Sequence, residues 1–223
     1  MGDVTTPYPP ARSFRPRRRA LSPTRAEMYD RLVAQWALAV EGEPLRFAEL
    51  FGSADVMLEI GFGGGEGTIA MAAGRPDEAI IGVDVHTSGV AKLLEAIEAN
   101  GWQHVRVVAG DVLEFLPRIP VASLAGVRIY FPDPWPKNKQ RHRRLVRPDV
   151  VEQLTDRLRV GGLLHVATDI DGYTLLTTAV CAGEPRLRGG VVPRPEWRPT
   201  TRFEQRGLAA GRCATDLIYQ RVS

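Results

Sequence analysis

Glu59-Ile-Gly61-Phe-Gly63-Gly64-Gly65-Glu66-Gly67 is the first stretch of the chain whose residue types and spacing could do chemistry. Closely spaced glycines let a backbone approach a ligand, and Glu59 ahead of them offers an acceptor for a cationic group. Three more acids follow short apolar runs: Asp84 after Ile80-Ile-Gly-Val, Asp111 after Val105-Arg-Val-Val-Ala-Gly, and Asp133 just beyond Val127-Arg-Ile-Tyr-Phe131. An acid closing the second run can accept hydrogen bonds from ribose hydroxyls. The set fits a nucleotide-type ligand, whereas the glycine turn alone could equally serve to pack a helix on a sheet. A dinucleotide fingerprint starting at Gly61 and Gly63 needs a third glycine at 66, and Glu66 stands there. An acid in that turn repels a pyrophosphate, which disfavours a nicotinamide dehydrogenase. S-adenosylmethionine has no phosphate and carries a sulfonium and an ammonium, both suited to Glu59. Asp111 then falls where an adenine amino group could be read.

Ile129-Tyr-Phe131-Pro-Asp133-Pro-Trp135-Pro-Lys137 is the most specific segment. Three prolines restrict its backbone and hold Asp133 and Trp135 in place. Trp135 could stack on a base or simply pack; Lys137 could hold a phosphate or a base edge. Charge reinforces the second idea. Residues 128–147 carry seven Lys or Arg against Asp133, and residues 1–25 carry six Arg against Asp3, in a chain whose net charge is only +3. The rest of the molecule is therefore acidic, and two basic patches on an acidic body mark a polyanion partner. A solvated charged face is the bland alternative.

These residues must be carried by a sheet. Val56–Ile60, Ile80–Asp84, Val105–Val108, Val127–Phe131 and Leu163–Ala167 read as strands, alternating with helical patterns. Thr24 and Glu27 have capping-box spacing before a helix with Met28, Leu32, Trp36 and Val40 on one face. Ser88 can cap a helix that Asn100-Gly101 stops. Pro148 opens a helix with Val151, Leu154 and Leu158, which Gly161-Gly162 ends. A further helix runs from Tyr173 to Cys181, and Glu184–Pro199 reads as a loop. Phe203 and Asp216–Val222 are expected to form a last antiparallel hairpin at the sheet edge. Such alternation implies a mostly parallel sheet with helices on both faces, binding its ligand at the strands' carboxyl ends.

At 223 residues the expectation is one domain over residues 21–223 behind a flexible basic tail over residues 1–20. No apolar run suffices for a membrane span, and the first thirty residues, with five prolines, do not read as a secretory signal. Cys181 and Cys213 make no disulfide framework, so a cytoplasmic setting is expected. His86, His104, His142 and His165 lack metal-ligand spacing, and no metal is expected; His86, just after Asp84, could help shape the pocket.

Taken together, Leu58-Glu-Ile-Gly-Phe-Gly63, Ile81-Gly-Val-Asp-Val-His86, Phe131-Pro-Asp-Pro-Trp-Pro-Lys137, Ala167-Thr-Asp169 and Thr201-Arg-Phe-Glu-Gln-Arg-Gly207 resemble the bacterial tRNA (guanine-N7-)-methyltransferase family in order and spacing. The resemblance implies a Rossmann-like class I methyltransferase fold of seven strands. It implies methyl transfer from S-adenosylmethionine to guanine 46 in the tRNA variable loop, leaving S-adenosylhomocysteine. Carried over, Glu59, Gly61, Gly63, Asp84, Asp111 and Asp133 are cofactor-site positions, Asp133 being also the catalytic one. Lys137, Asp169, Thr201, Arg202, Phe203 and Glu204 are substrate-site positions, and Asp169 or Glu204 could accept from the guanine N1–H and N2–H donors. The chain departs from the family at Gln140, often a His, and at Asp84, often a Glu. A non-catalytic RNA-binding protein on the same fold and a methyltransferase for small molecules or proteins are the alternatives. Retention of all four acids opposes the first, and the basic run opposes the second. A monomer is expected, with a dimer as the alternative.

Overall fold

Strands buried on both faces read as near-continuous apolar runs, and five such runs make the parallel part of one sheet. In the computed structural model, which describes residues 22–223, these are β1 (Asp55–Ile60), β2 (Glu78–Asp84), β3 (Val105–Ala109), β4 (Leu124–Tyr130) and β5 (Leu158–Thr168). The expected tail over residues 1–20 lies outside the described residues. Two more strands, β6 (Leu187–Val192) and β7 (Thr215–Arg221), complete a seven-stranded sheet in the order β3-β2-β1-β4-β5-β7-β6. Strand β7 runs antiparallel to both β5 and β6. The helices are α1 (Pro23–Trp36), α2 (Phe47–Phe51), α3 (Glu66–Gly74), α4 (Thr87–Asn100), α5 (Val112–Phe115), α6 (Pro148–Arg157), α7 (Asp171–Ala182) and α8 (Arg202–Ala209). Among the described residues, no helix is long and apolar enough to cross a membrane.

The two faces of the sheet differ in chemistry. One has an apolar centre: Leu58, Ile60, Ile81, Val83, Val127, Ile129, Leu164 and Val166 are buried in one cluster with Val151 and Leu154 of α6. On the other face, Ile80, Val105 and Val107 pack under Trp36 of α1 and Leu93, Leu94 and Ile97 of α4. Towards the centre that face turns polar. Glu59, Arg128 and His165 lie side by side across β1, β4 and β5, all buried.

Several elements depart from the sequence reading. Helix α1 stops at Trp36 rather than reaching Val40; Ala37 turns extended, and the Leu38 N–H bonds Val107 O at 2.8 Å along the β3 edge. Helix α4 starts at Thr87 with His86, not Ser88, at its N-cap. Helix α6 ends at Arg157, and Gly161-Gly162 sit inside β5, where the pairing with β4 shifts register. Residues 187–192, expected to be loop, are strand β6. Phe203, expected in a strand, lies in α8, whose N-cap Thr201 accepts the Glu204 N–H at 3.2 Å. The closing hairpin therefore exists, but β6 is its first strand. Helices α2, α3 and α5 are additional to the elements expected from the sequence.

Candidate functional site

The strands end at a cleft, as an open α/β sheet dictates. Its first chamber is lined by Gly61, Gly63, Asp84, His86, Asp111, Asp133 and Phe203, with Tyr130, Phe131 and Leu145 among its walls. A second chamber shares Gly61, Tyr130, Phe131 and Phe203 and adds Glu59, Glu66, Thr201, Arg202 and Arg206. Phe203, 54% exposed, stands in the wall common to both.

Each acid is held differently. Asp84, at the end of β2, is 5% exposed; its Oδ2 accepts the Gly63 N–H at 2.6 Å and its Oδ1 the His86 N–H at 2.8 Å. The glycine loop is thereby tied to the neighbouring strand, and burial pushes the Asp84 carboxyl up. Gly63 has φ +58, a left-handed conformation that costs glycine little. The same loop lies so close to α4 that a Cβ on Gly89 would collide with the Gly63 carbonyl. Asp111 caps α5, its Oδ1 accepting the Leu113 N–H at 3.0 Å. Asp133 is exposed at the cleft wall.

Glu59 is the anomaly. It is 3% exposed, and its Oε2 has no hydrogen-bond partner. Burial pushes its carboxyl up to about 7, against the pull of Arg128 and Thr68, while Asp84 adds to the rise. A buried acceptor without a donor is costly, and Glu59 is among the residues around the second chamber. The residues therefore fit a ligand that brings a cationic hydrogen-bond donor, as the ammonium of S-adenosylmethionine would.

The loop after β4 is rigid by its prolines and strained by its dihedrals. Phe131 and Trp135 have φ +51 and +40, values rare for non-glycine residues and concentrated at functional sites. Trp135 is 5% exposed, with the Arg143 guanidinium 5.1 Å from its ring centroid. Its carbonyl accepts from Arg144 Nη2 at 3.1 Å. The ring packs beneath the basic run, and Phe203 is the exposed aromatic at the cleft. Leu145 and Val146 bury behind the run, leaving Lys137, Lys139, Arg141 and His142 exposed.

The remaining expected substrate positions do not gather at one point. Arg202 and Phe203 line the second chamber, Arg202 also reaching Glu66 at 3.3 Å. Thr201 lines it too but uses its hydroxyl as the α8 cap. Lys137 stands on the exposed run, outside both chambers. Asp169, at the end of β5, accepts from Arg212 Nε at 2.8 Å. Glu204 points inward: it is 3% exposed, paired with Arg198 at 2.8 and 2.9 Å and with Arg194 at 2.7 Å. Its carboxylate belongs to the interior, not to the open cleft.

Sequence reasoning passed over Tyr130, Phe131, Gly89, Leu145 and Arg206 as site residues. The first two end an apolar strand beside Asp133, and that position was the available signal. Gly89 gave none, because its need is set by a loop 26 positions earlier.

Residues 53–217 match a family described as "Putative methyltransferase". The chain is 43% identical over 218 residues to a tRNA (guanine-N(7)-)-methyltransferase of Streptomyces avermitilis, covering 95% of this chain and 75% of that one. A relative of the same name from Bordetella pertussis is 42% identical over 216 residues, with 95% and 85% covered. Another, from Nitrosospira multiformis, is 38% identical over 221 residues, with 97% and 96% covered. Among solved structures, the 16S rRNA methyltransferase KamB superposes with TM-score 0.61 at 14% identity, over 82% of this chain and 96% of that one. An rRNA methylase from Streptococcus thermophilus gives 0.52 at 15% identity, over 79% and 92%. At such identities the structures speak for the fold alone. The sheet order, the acids at the strand ends and identities near 40% across nearly the whole length agree: the chain belongs to the tRNA (guanine-N7-)-methyltransferase family.

Proposed function

We propose that this chain is a cytoplasmic tRNA (guanine-N7-)-methyltransferase, taking its methyl group from S-adenosylmethionine and modifying guanine 46 in the tRNA variable loop. The observation that carries the reading is buried Glu59, one oxygen of which lacks a hydrogen-bond partner, at a cleft that also exposes Asp133 beside a basic run. Glu59 offers its free oxygen to the cofactor's ammonium, Asp84 its remaining lone pairs to ribose hydroxyls, and Asp111 an acceptor towards adenine. When bound, S-adenosylmethionine supplies an electrophilic methyl group on a sulfonium.

Guanine N7 carries a free lone pair, exposed even when the base is paired. No proton has to leave before it attacks. The protein's task is alignment and exclusion of water. Phe203 is the aromatic surface on which the base rests, and the strained loop fixes Asp133 against it. Methylation leaves the base cationic, and the Asp133 carboxylate stabilises that developing charge. Glu204 is held by two arginines and Asp169 by Arg212 alone, which leaves Asp169 the acceptor for the guanine N1–H and N2–H donors, a pairing adenine does not match. The exposed Lys137, Lys139 and Arg141 hold the tRNA backbone.

The test is methyl transfer from labelled S-adenosylmethionine to unmodified tRNA, followed by nuclease digestion and nucleoside analysis. Label in 7-methylguanosine at position 46 is expected; label in another nucleoside, or none despite cofactor binding, overturns the reading.

A further inference from the structure

We propose that Tyr130, His165, Asp216, Arg198 and Glu204 form one positioning unit that sets the β4 wall of the cleft against the α8 wall. The proposal rests on the reading above, in which the base enters between those walls. Tyr130 closes β4 immediately before strained Phe131, and its hydroxyl lies 3.0 Å from His165 Nδ1 on β5. His165 Nε2 lies 2.6 Å from Asp216 Oδ1 on β7. Arg198 Nη2 donates to Asp216 Oδ2 at 3.1 Å, and the same guanidinium grips both oxygens of Glu204 on α8. One residue before Glu204 is Phe203, the wall common to both chambers.

The arrangement is buried, and with His165 neutral its two carboxylates, Asp216 and Glu204, are met by Arg198 together with Arg194. His165, Asp216, Arg198 and Glu204 are each at most 3% exposed. Burial keeps His165 below the usual imidazole range even with Asp216 beside it. A neutral ring beside a carboxylate has one satisfying tautomer: Nε2–H donates to Asp216, and Nδ1 accepts from the Tyr130 hydroxyl. Every bond from β4 to α8 then has a fixed direction. Trp197, next to Arg198, locks the same segment down. Its ring lies 5.1 Å from the Arg75 guanidinium and 5.3 Å from that of Arg128, with His165 edge-on at 5.4 Å.

Stability alone does not call for such a device. Well-packed apolar residues cover a sheet as well as buried ion pairs do, or better, and this chain covers the opposite face that way. A buried chain of directed hydrogen bonds specifies a geometry instead. Here it begins at one wall of the cleft and ends at the other.

The experiment is a double-mutant cycle on the full chain. Tyr130→Phe removes one hydroxyl at the β4 end, and Glu204→Gln removes one charge at the α8 end; the two are not bonded to each other. Each single variant is expected to lower kcat/KM for tRNA about 5- to 20-fold, with cofactor Kd within about twofold of the parent. The double variant is expected to be no worse than about twofold below the weaker single, a coupling in the range seen for residues of one network. Losses that multiply, singles at the parent rate, or cofactor Kd moving as far as the tRNA terms would each overturn the unit. If the parent methylates no tRNA, the functional reading has failed, and the unit is judged by hydrogen exchange. Tyr130→Phe should then speed amide exchange in residues 203–208 about tenfold or more; unchanged exchange there overturns it.

Discussion

Burial divides the labour among the acids of the cleft. Asp133 is exposed at the cleft wall, whereas Glu59 is buried with one oxygen lacking a hydrogen-bond partner. Asp133→Asn keeps the shape and removes the charge. It is expected to lower kcat by about 10²- to 10³-fold, the usual cost of losing one preorganised electrostatic contact, with tRNA affinity little changed. Near-normal turnover in single-turnover assays would remove Asp133 from the chemistry. Glu59 makes a prediction about pH. Its carboxyl is raised to about 7 in the fold, against 4.5 ordinarily. Between those values the folded chain holds a proton that the unfolded chain has released. The contribution of Glu59 to stability therefore falls as pH rises through that window, by up to about 3 kcal/mol. Glu59→Gln should gain stability relative to the parent between pH 5 and 8 in denaturant titrations while losing cofactor affinity. Cofactor binding by the parent below pH 7 should release a proton, visible as calorimetric heats that change with buffer ionisation enthalpy.

At the scale of elements, close approach replaces charge as the deciding quantity. Helix α4 can lie against the glycine loop only because residue 89 has no side chain. Gly89→Ala is expected to push the loop off Asp84, cost about 1–3 kcal/mol in unfolding free energy, and weaken cofactor binding at least tenfold. A variant with the parent's Tm and cofactor Kd would show that the loop gives way freely. The elements also show where reading a sequence succeeds. Strands β1 to β5 announce themselves through apolar runs such as Ile80-Ile-Gly-Val and Leu163-Leu-His-Val, since a strand covered on both faces has little else to be. Strand β6 is hidden by Gly189-Gly190 and the prolines around it, poor strand formers that only pairing with β7 makes regular. Helix α8 is not legible from Phe203 alone; its signal is the capping-box spacing of Thr201 and Glu204. The acids at the strand ends were legible because each closes its own run. The Tyr130–Glu204 chain was not, because its members stand on four different elements and meet only in the folded sheet.

For the whole molecule, the distribution of charge matters more than its sum. The net charge is +3, yet Lys137, Lys139 and Arg141 are exposed together on one run beside the cleft. Affinity for tRNA should fall steeply with salt. Replacing Lys139 and Arg141 with Glu should lower the slope of log K against log salt by about 2 while leaving cofactor binding intact. An unchanged slope would place the RNA on another face. The topology has a further consequence for how the molecule is made. Strand β7 lies inside β6 in the sheet but after it in the chain. During synthesis from the N-terminus, β6 emerges while the edge of β5 is still open, so the earlier arrival competes for the later strand's berth. An open strand edge accepts whatever can pair with it. The glycine pair that makes β6 hard to recognise also makes it a weak competitor, and the berth stays open until the rightful strand emerges.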